Sequence, residues 1–343
     1  PCHMQILVFI ARRLAFSALV LFGIASLVFV LTRIIPNEPA SLYLGPRARP
    51  AEIAEINERF GFDKPISEQY VMYMRALAGG DMGISLATKR PVTTELSSRL
   101  AATLELLAAA MVIAVVIGVA LGVVSTMWRG RFSDAIVRVT SVIGVSMPAF
   151  WLGLLMQMLF VHALGWFPVA GRVDGGLRFV SPLDQVTGFF LLDALLTGNF
   201  TALRDAFMHI VLPAVTLAAY PIGLITRMTR AAMLEVLSQD YIRTARAYGL
   251  SEARIHARLA LRNAIGPTLT VIGLTLAFLL TGAFYVEVIY NWPGLGSFTV
   301  RSFLNLDYPA ILGMTLYGAA GYVLVNLVVD LVQAVIDPRI RVG

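Results

Sequence analysis

The sequence has few of the residues on which enzyme and metal sites depend. Cys2 is its single cysteine, which excludes disulfides, cysteine-based metal sites and thiol catalysis within the chain. The lysines are Lys64 and Lys89, and neither belongs to a Gly-rich loop ending in Gly-Lys-Ser/Thr, so we predict no ATP site in this chain. The four histidines lack HExxH or paired spacing, so no metal site is expected. Since no Gly-x-Ser-x-Gly element is present either, we expect no enzyme and no cofactor.

Charged residues are also scarce, and apolar residues are correspondingly abundant. Of the 343 residues, 58% are hydrophobic and 14% are charged, and the mean hydropathy is +0.77. Such a composition is typical of a protein embedded in a bilayer. The net charge of +6 comes from basic residues spread over short loops between apolar runs, without an RNA-type aromatic motif. Membrane topology therefore explains the basic residues better than nucleic-acid binding.

Apolar runs predict an all-α membrane protein with six transmembrane helices, because about 20 apolar residues cross a bilayer. The first run has no small-residue cleavage pattern and is expected to remain as an anchor. Pro148 predicts a kink in the third span, and Gly118 and Gly122 predict a close helix approach by the second. The predicted spans are 8–35, 100–127, 135–163, 207–233, 268–290 and 309–336.

Polar segments divide the chain into an N-terminal helix (1–35), an external segment (36–99) and a five-helix core (100–343). The external segment is rich in proline and glycine, with helices predicted at 51–59 and 66–78. A second polar segment, 164–206, contains an apolar piece that is too short to span and is expected at the surface.

Six spans place both termini on the same side of the membrane. Arginines close to the spans accumulate on that side, which the positive-inside rule assigns to the cytoplasm. They are Arg12, Arg13, Arg129, Arg131, Arg339, Arg341 and the arginines of 238–267. The 36–99 segment then faces the periplasm or the exterior, since long loops carry little weight in this rule.

The longest polar interruption of the C-terminal half is 238–267, in which arginines outnumber carboxylates. Ser238 is a candidate N-cap for a helix over 239–248, and Gly249 supplies a left-handed stop. Ser251 then opens a second helix, which Gly266-Pro267 is expected to end. In that helix the arginines recur every four residues on one face, away from the apolar positions: Arg254, Arg258 and Arg262.

The stretch QDYIRTARAYGL followed by LRNAIGP closely resembles the cytoplasmic loop of dipeptide and oligopeptide permeases of ABC importers. In such permeases a short helix of this loop, the EAA loop, binds a groove on an ATPase subunit. Tyr248 stands where these permeases usually have lysine, and the glutamate and proline of the general loop pattern are absent. Further matching elements lie along the chain: GFDKP at 61–65, GDMGIS at 80–85, WPGLG at 292–296, DYP at 307–309 and DPRIR at 337–341.

The resemblance implies a type I importer permease of a bacterial-type inner membrane. Its partners would be a second similar permease, two ATPase subunits that bind ATP and Mg, and an external substrate-binding protein. The transport path would lie between the two permeases, and this chain would perform no covalent chemistry. The residues implied in ATPase coupling are Asp240, Tyr241, Arg243, Thr244, Ala245, Arg246, Ala247, Gly249 and Leu250.

Ionisable residues within spans are candidates for function, because burying a charge in lipid is costly. Glu105, Glu287 and Asp330 fall near span ends, where helix packing or pairing also explains them. Glu287 is the preferred path candidate, since it precedes the WPGLG element by about one turn and its charge would act on a peptide amino terminus. The remaining candidates also have packing as their simplest explanation: Met147, Phe150 and Trp151.

Other interpretations remain open at this point. The 238–267 stretch alone also fits a solvated basic loop or a contact with anionic lipid. An ion-coupled secondary transporter would need mid-membrane carboxylates and usually an internal repeat, neither of which is visible. A membrane-embedded enzyme lacks a recognisable catalytic set. The substrate is open among dipeptides, longer peptides, glutathione, nickel complexes and opine-like compounds.

Overall fold

The computed structural model describes residues 2–33, 44, 49–184 and 186–336. Their ordered elements are helices, apart from one isolated bridge between Ile84 and Pro91. The predicted end of the first span, part of the 36–99 segment, the DPRIR tail and the side chain of Asp330 lie outside this description.

Within the described residues, five helices are long and apolar enough to cross a membrane. A sixth span results if two helices joined by a sharp bend, Phe132–Ser146 and Ala149–Ala163, are taken together. The prediction of an all-α, six-span membrane protein is thereby confirmed. The five continuous candidates are Ala11–Val30, Val92–Met127, Phe200–Leu237, Glu252–Leu280 and Tyr308–Val328.

The predicted kink at Pro148 is confirmed, and it is a full break of the helix. The two helices meet at 110°. Met147 and Pro148 are both extended (ψ 125° and 133°), which agrees with the tendency of a proline ring to disfavour the helical conformation of the residue before it. The second helix continues as a π-helix over Gln157–Ala163. Pro213 and Pro221, in contrast, lie inside the unbroken helix Phe200–Leu237.

The chain divides into two compact units, of which the first comprises residues up to Ala101 together with Gly294–Leu327. Its short helices are Pro50–Phe60, Ile66–Ala78 and Leu295–Leu304, so the two helices predicted near 51–59 and 66–78 are confirmed. Apolar side chains from distant parts of the sequence form its cores: Val92, Leu96, Leu295, Phe298 and Ala310 in one, and Ala25, Val28 and Leu316 in another.

Asp307 joins two of the sequence elements singled out above, GDMGIS and DYP. Its buried carboxylate accepts hydrogen bonds from the Ser85 hydroxyl at 2.5 Å and from the backbone N–H groups of Leu86 and Ala87 at 3.0 and 3.1 Å. It also accepts from the N–H of Ala310 at 3.3 Å, at the start of the helix Tyr308–Ile336. One carboxylate thus caps this helix and fixes the loop after Gly83.

The second unit comprises Ala102–Pro293 and the residues from Val328 onward. The helix Phe200–Leu237 runs through its main core, and the helix Val92–Met127 approaches it closely. A Cβ on Gly118 would lie 2.8 Å from the Ile225 side chain, and one on Gly122 would lie 2.6 Å from that of Thr229. The predicted close helix approach at these glycines is confirmed, and it occurs within the chain.

A buried ion pair fastens the polar segment 164–206. The Arg172 guanidinium pairs with Glu105 and donates to the Gly188 carbonyl at 3.0 Å. Its carbon lies 3.7 Å from the centre of the Phe190 ring, a cation–π contact. Phe190 begins a helix of seven residues, Phe190–Leu196, which is too short to span, as predicted for this apolar piece.

Candidate coupling loop

The stretch 238–267 contains a short helix, Asp240–Ala247, close to the predicted 239–248. Ile242 is fully buried and anchors it, while most other side chains face solvent. Ser238 does not cap this helix as predicted: it ends the preceding helix, and its hydroxyl donates to the Glu235 carbonyl at 2.7 Å. The exposed members of the predicted set are Asp240, Tyr241, Arg243, Thr244, Arg246, Ala247 and Gly249, and Ala245 and Leu250 are half-buried.

Gly249 ends the helix as predicted, with a positive φ of 77°. The Gly249 N–H donates to the Arg246 carbonyl at 2.9 Å, and the Leu250 N–H donates to the Ala245 carbonyl at 3.2 Å. This pair of bonds is a Schellman motif, which satisfies carbonyls that a helix end leaves open. The direction in which the chain leaves the short helix is therefore set by Gly249.

The second helix of the stretch begins at Glu252, after Ser251, and passes through a π-helical segment, Ile255–Ala260. The prediction that Gly266-Pro267 ends it is wrong, since the helix Leu261–Ile289 continues through both residues. Thr268 is fully buried beside the proline, and its hydroxyl lies 3.3 Å from that of Thr229 on a neighbouring helix. Prolines are tolerated in membrane-spanning helices where neighbouring helices and Ser/Thr side chains surround them.

The predicted separation of charge from apolar surface in this second helix is confirmed. All three arginines of the predicted face, Arg254, Arg258 and Arg262, are exposed. Of the apolar positions predicted to face away from them, Ile255 is buried and Leu259 and Leu261 are half-buried. The basic face of the helix therefore remains available to solvent or a partner.

Two side-chain contacts join the short helix to the second helix. Arg246 donates from Nε to Glu252 Oε1 at 2.7 Å and from its terminal nitrogen to Glu252 Oε2 at 3.2 Å. The Asn263 amide donates to the Tyr241 hydroxyl at 2.9 Å. The Glu252 carboxylate raises the pKa of the Arg246 guanidinium above its usual value, chiefly through the hydrogen bond. A third pair, Arg243 and Asp240, lies within the short helix at 3.2 Å.

A buried polar cluster near the start of the third span was missed at the sequence level. Asp134 accepts from the Ser125 hydroxyl at 2.5 Å and from the Gly130 N–H at 3.1 Å, and Arg230 pairs with it at 3.2 Å. Arg230 lies two turns before the end of the helix that leads into the candidate loop. No local pattern reveals this pairing, because Arg230 and Asp134 are far apart in the chain.

The four candidates for the transport path occupy different environments. Phe150 and Trp151 are about half exposed on the helix after the break, and Met147 lies half-buried at the break itself. Glu287 is 0% exposed and accepts a hydrogen bond from the Thr103 hydroxyl at 2.6 Å. Their role in a transport path stays a prediction.

Metal binding was not expected, and the described residues contain no group of three or more His, Cys, Asp or Glu side chains placed to hold a metal ion.

Comparison with known proteins assigns the chain to a family. The profile of the binding-protein-dependent transport system inner membrane component matches residues 114–342, and that of the N-terminal part of such membrane components matches residues 6–107. The two matches together cover nearly the whole chain.

Three similar proteins illustrate the family. The probable D,D-dipeptide transport system permease protein of Escherichia coli K12 is 46% identical over 95% of both chains. The di/tripeptide transport system permease protein of Pseudomonas aeruginosa UCBPP-PA14 is 44% identical over 97% of this chain and 98% of its own. The glutathione transport system permease protein of Escherichia coli O6:H1 is 36% identical over the same shares. The resemblance drawn from the sequence is confirmed, and the chain belongs to the family of binding-protein-dependent transport system inner membrane components, which are multi-pass transport permeases and not enzymes.

Proposed function

We propose that this chain is a membrane-spanning subunit of an ATP-driven importer for peptides, and that it forms the transport path with a second, similar permease. Two separate ATPase subunits bind ATP and Mg, and an external binding protein delivers the substrate. The high identity to permeases named for dipeptide and di/tripeptide transport supports the substrate class. A further relative is named for transport of glutathione, which is itself a small peptide, and this keeps the range of peptides broad.

The observation that carries the proposal is the geometry of the loop 238–267. Its short helix Asp240–Ala247 exposes polar side chains and is oriented by the Gly249 motif. An exposed helix with only one fully buried side chain contributes little to the stability of its own chain, so a role in binding a partner accounts for it better. The sequence of this loop resembles loops that bind an ATPase subunit, so we infer that the partner is an ATPase and that the short helix binds in its groove.

The arrangement also suggests how the energy of ATP reaches the membrane. The loop joins two long helices, Phe200–Leu237 and the one that ends at Ile289, and both run through the apolar core of the second unit. A displacement of the short helix by closing ATPases would move these helices as rigid bodies and alternate access to the path. Both termini lie in the cytoplasm in this scheme, on the same side as the loop.

Affinity purification from native membrane tests the assembly. The tagged chain should bring down ATPase subunits and a second permease, and a chain that returns neither contradicts the proposal. Uptake of a labelled panel of dipeptides, tripeptides, oligopeptides and glutathione by the reconstituted complex then identifies the substrate. An ion gradient that drives uptake without ATP would assign the chain to ion-coupled transport instead.

A further inference from the structure

The C-terminal end of the short helix is tied across the Gly249 turn to the helix that follows. Both oxygens of Glu252 accept from the Arg246 guanidinium, at 2.7 and 3.2 Å. Such a two-pronged pair fixes the relative orientation of its planes as well as their distance. Glu252 is the first residue of the following helix, so the pair closes a ring around the turn.

The N-terminal end of the short helix has a second contact with the same neighbour. The Asn263 amide donates to the Tyr241 hydroxyl at 2.9 Å. Asn263 also donates to the Leu259 carbonyl at 3.0 Å, which fixes the position of its own side chain. One contact alone would allow the short helix to pivot about it, whereas contacts near both ends exclude that rotation.

Apolar burial lies beneath these two polar contacts. Ile242 of the short helix and Ile255 of the following helix are both fully buried. The short helix packs against the π-helical segment Ile255–Ala260. His256 is also buried in that segment, and its Nδ1 lies 2.8 Å from the Glu252 carbonyl oxygen. The junction between the short helix and the following helix is therefore held by apolar packing on its inner side and by polar contacts on its outer side.

We propose that Arg246–Glu252 and Tyr241–Asn263 are positioning contacts that make the short helix and the first turns of the following span one rigid lever. Displacement of the short helix is then delivered to that span and is not absorbed by rotation at Gly249. This inference rests on the proposed function, because a lever needs a partner that moves it. The side chains of Arg246 and Glu252 are 43% and 55% exposed, so their pair adds little stability and its role is geometric.

Distance measurements between spin labels test the rigidity without any ATPase. In a Cys2→Ser background, cysteines replacing Gln239, at the end of the short helix away from Gly249, and Leu274, both exposed, carry the labels in the full chain assembled with its second permease. Glu252 and Leu274 are separated by about 33 Å of helix rise, within the range of pulsed methods. We expect one narrow distance distribution in the parent and broader ones in Glu252→Gln, Tyr241→Phe and the double variant.

Arg243→Gln is the matched control for these variants. Arg243 pairs with Asp240 inside the short helix, so its loss leaves both cross-turn contacts in place. Its distribution should keep the parent width. If Glu252→Gln and Tyr241→Phe also keep the parent width, the lever is overturned.

A functional measurement separates the lever from a docking role. In proteoliposomes of the complete transporter, substrate imported per ATP hydrolysed should fall about two- to fivefold in Glu252→Gln, while affinity for the ATPase subunits stays at the parent value. Weaker ATPase binding with unchanged coupling would instead make Glu252 a docking residue and contradict the inference. Failure of the parent chain to bind an ATPase would overturn the proposed function, whereas the label distances report on the junction by themselves.

Discussion

Arg172 and Glu105 form an ion pair in which each side chain is only 6% exposed. Glu105 also accepts from the Leu191 N–H at 2.8 Å, so its carboxylate joins two parts of the polar segment 164–206 to the helix Val92–Met127. Burial lowers the pKa of the Arg172 guanidinium, and the Glu105 carboxylate opposes that shift. The pair therefore holds the polar segment against this helix, and each buried charge is neutralised by the other.

Removal of Arg172 is therefore expected to destabilise the protein strongly. Arg172→Met leaves Glu105 as an uncompensated buried charge, which costs about 3–5 kcal/mol. Thermal unfolding of the purified permease pair in detergent measures the loss. The double variant Arg172→Met/Glu105→Leu should recover much of it, because no lone charge remains. Exposed Arg204 provides the control, and equal melting temperatures for Arg172→Met and Arg204→Met would contradict this account.

Asp307→Ala is expected to release the loop that follows Gly83. The carboxylate accepts hydrogen bonds from three successive loop residues, Ser85 to Ala87. The Ser85 hydroxyl is buried, and leaving a buried donor unpaired costs about 1–3 kcal/mol. Lys89 of this loop is exposed, so trypsin cleavage after Lys89 should accelerate in the variant, whereas the bond between Arg90 and Pro91 resists trypsin. Asp81→Ala removes a single bond to the Gly83 N–H and should cleave at nearly the parent rate. Equal cleavage of the two variants would argue against Asp307 as the fastening point.

Gly122→Ala tests the close helix approach in the second unit. The added methyl would lie 2.6 Å from Thr229, so overpacking is expected to cost about 1–3 kcal/mol. Gly321→Ala is the control, since no atom lies within 4 Å of its added Cβ. There the better helix propensity of alanine should leave stability equal or raised by about 1 kcal/mol. Melting temperatures of the two variants in parallel decide the point, and a Gly122 variant as stable as its control would refute the contact.

Much of the fold follows from the sequence because the bilayer imposes a length on apolar segments. That constraint locates the spans, and the backbone restriction of proline explains why the break falls at Pro148. The same reasoning fails at Gly266-Pro267, where the helix continues. Tolerance of a proline inside a helix depends on the neighbours that pack around it, and a single sequence does not contain that information.

In the candidate loop, too, local features could be predicted from the sequence and contacts between distant residues could not. The stop at Gly249 is predictable because a positive φ is a local property of glycine. The Tyr241–Asn263 contact and the Asp134–Arg230 pair were not predicted, since they join residues that only tertiary structure brings together. Ser238 is a local prediction that was wrong: serine is a suitable N-cap residue by type, but here it ends the preceding helix.

The orientation of the chain is tested by cysteine accessibility in a Cys2→Ser background. Ser67 and Ser251 are both exposed, one in the segment expected outside and one in the candidate loop. An impermeant thiol reagent added to intact cells, or to spheroplasts where an outer membrane is present, should label Ser67→Cys and leave Ser251→Cys unmodified. Permeabilised cells supply the control, because both cysteines should then react. The reverse pattern would invert the topology.

The turn at Gly249 permits the most direct test of the coupling loop. An added Cβ would meet nothing within 4 Å, so a substitution acts there only through the backbone, whose φ is 77°. Valine is expected to cost about 1–2 kcal/mol in that conformation and to redirect the chain after the short helix. Asparagine tolerates the left-handed conformation and should preserve the turn.

In proteoliposomes of the complete transporter, Gly249→Val should lose the link between ATP hydrolysis and uptake, and Gly249→Asn should retain most of it. Both variants should reach the membrane at parental levels, since the spans are untouched. Parental ATPase activity and uptake in Gly249→Val would mean that the orientation of this helix does not govern coupling.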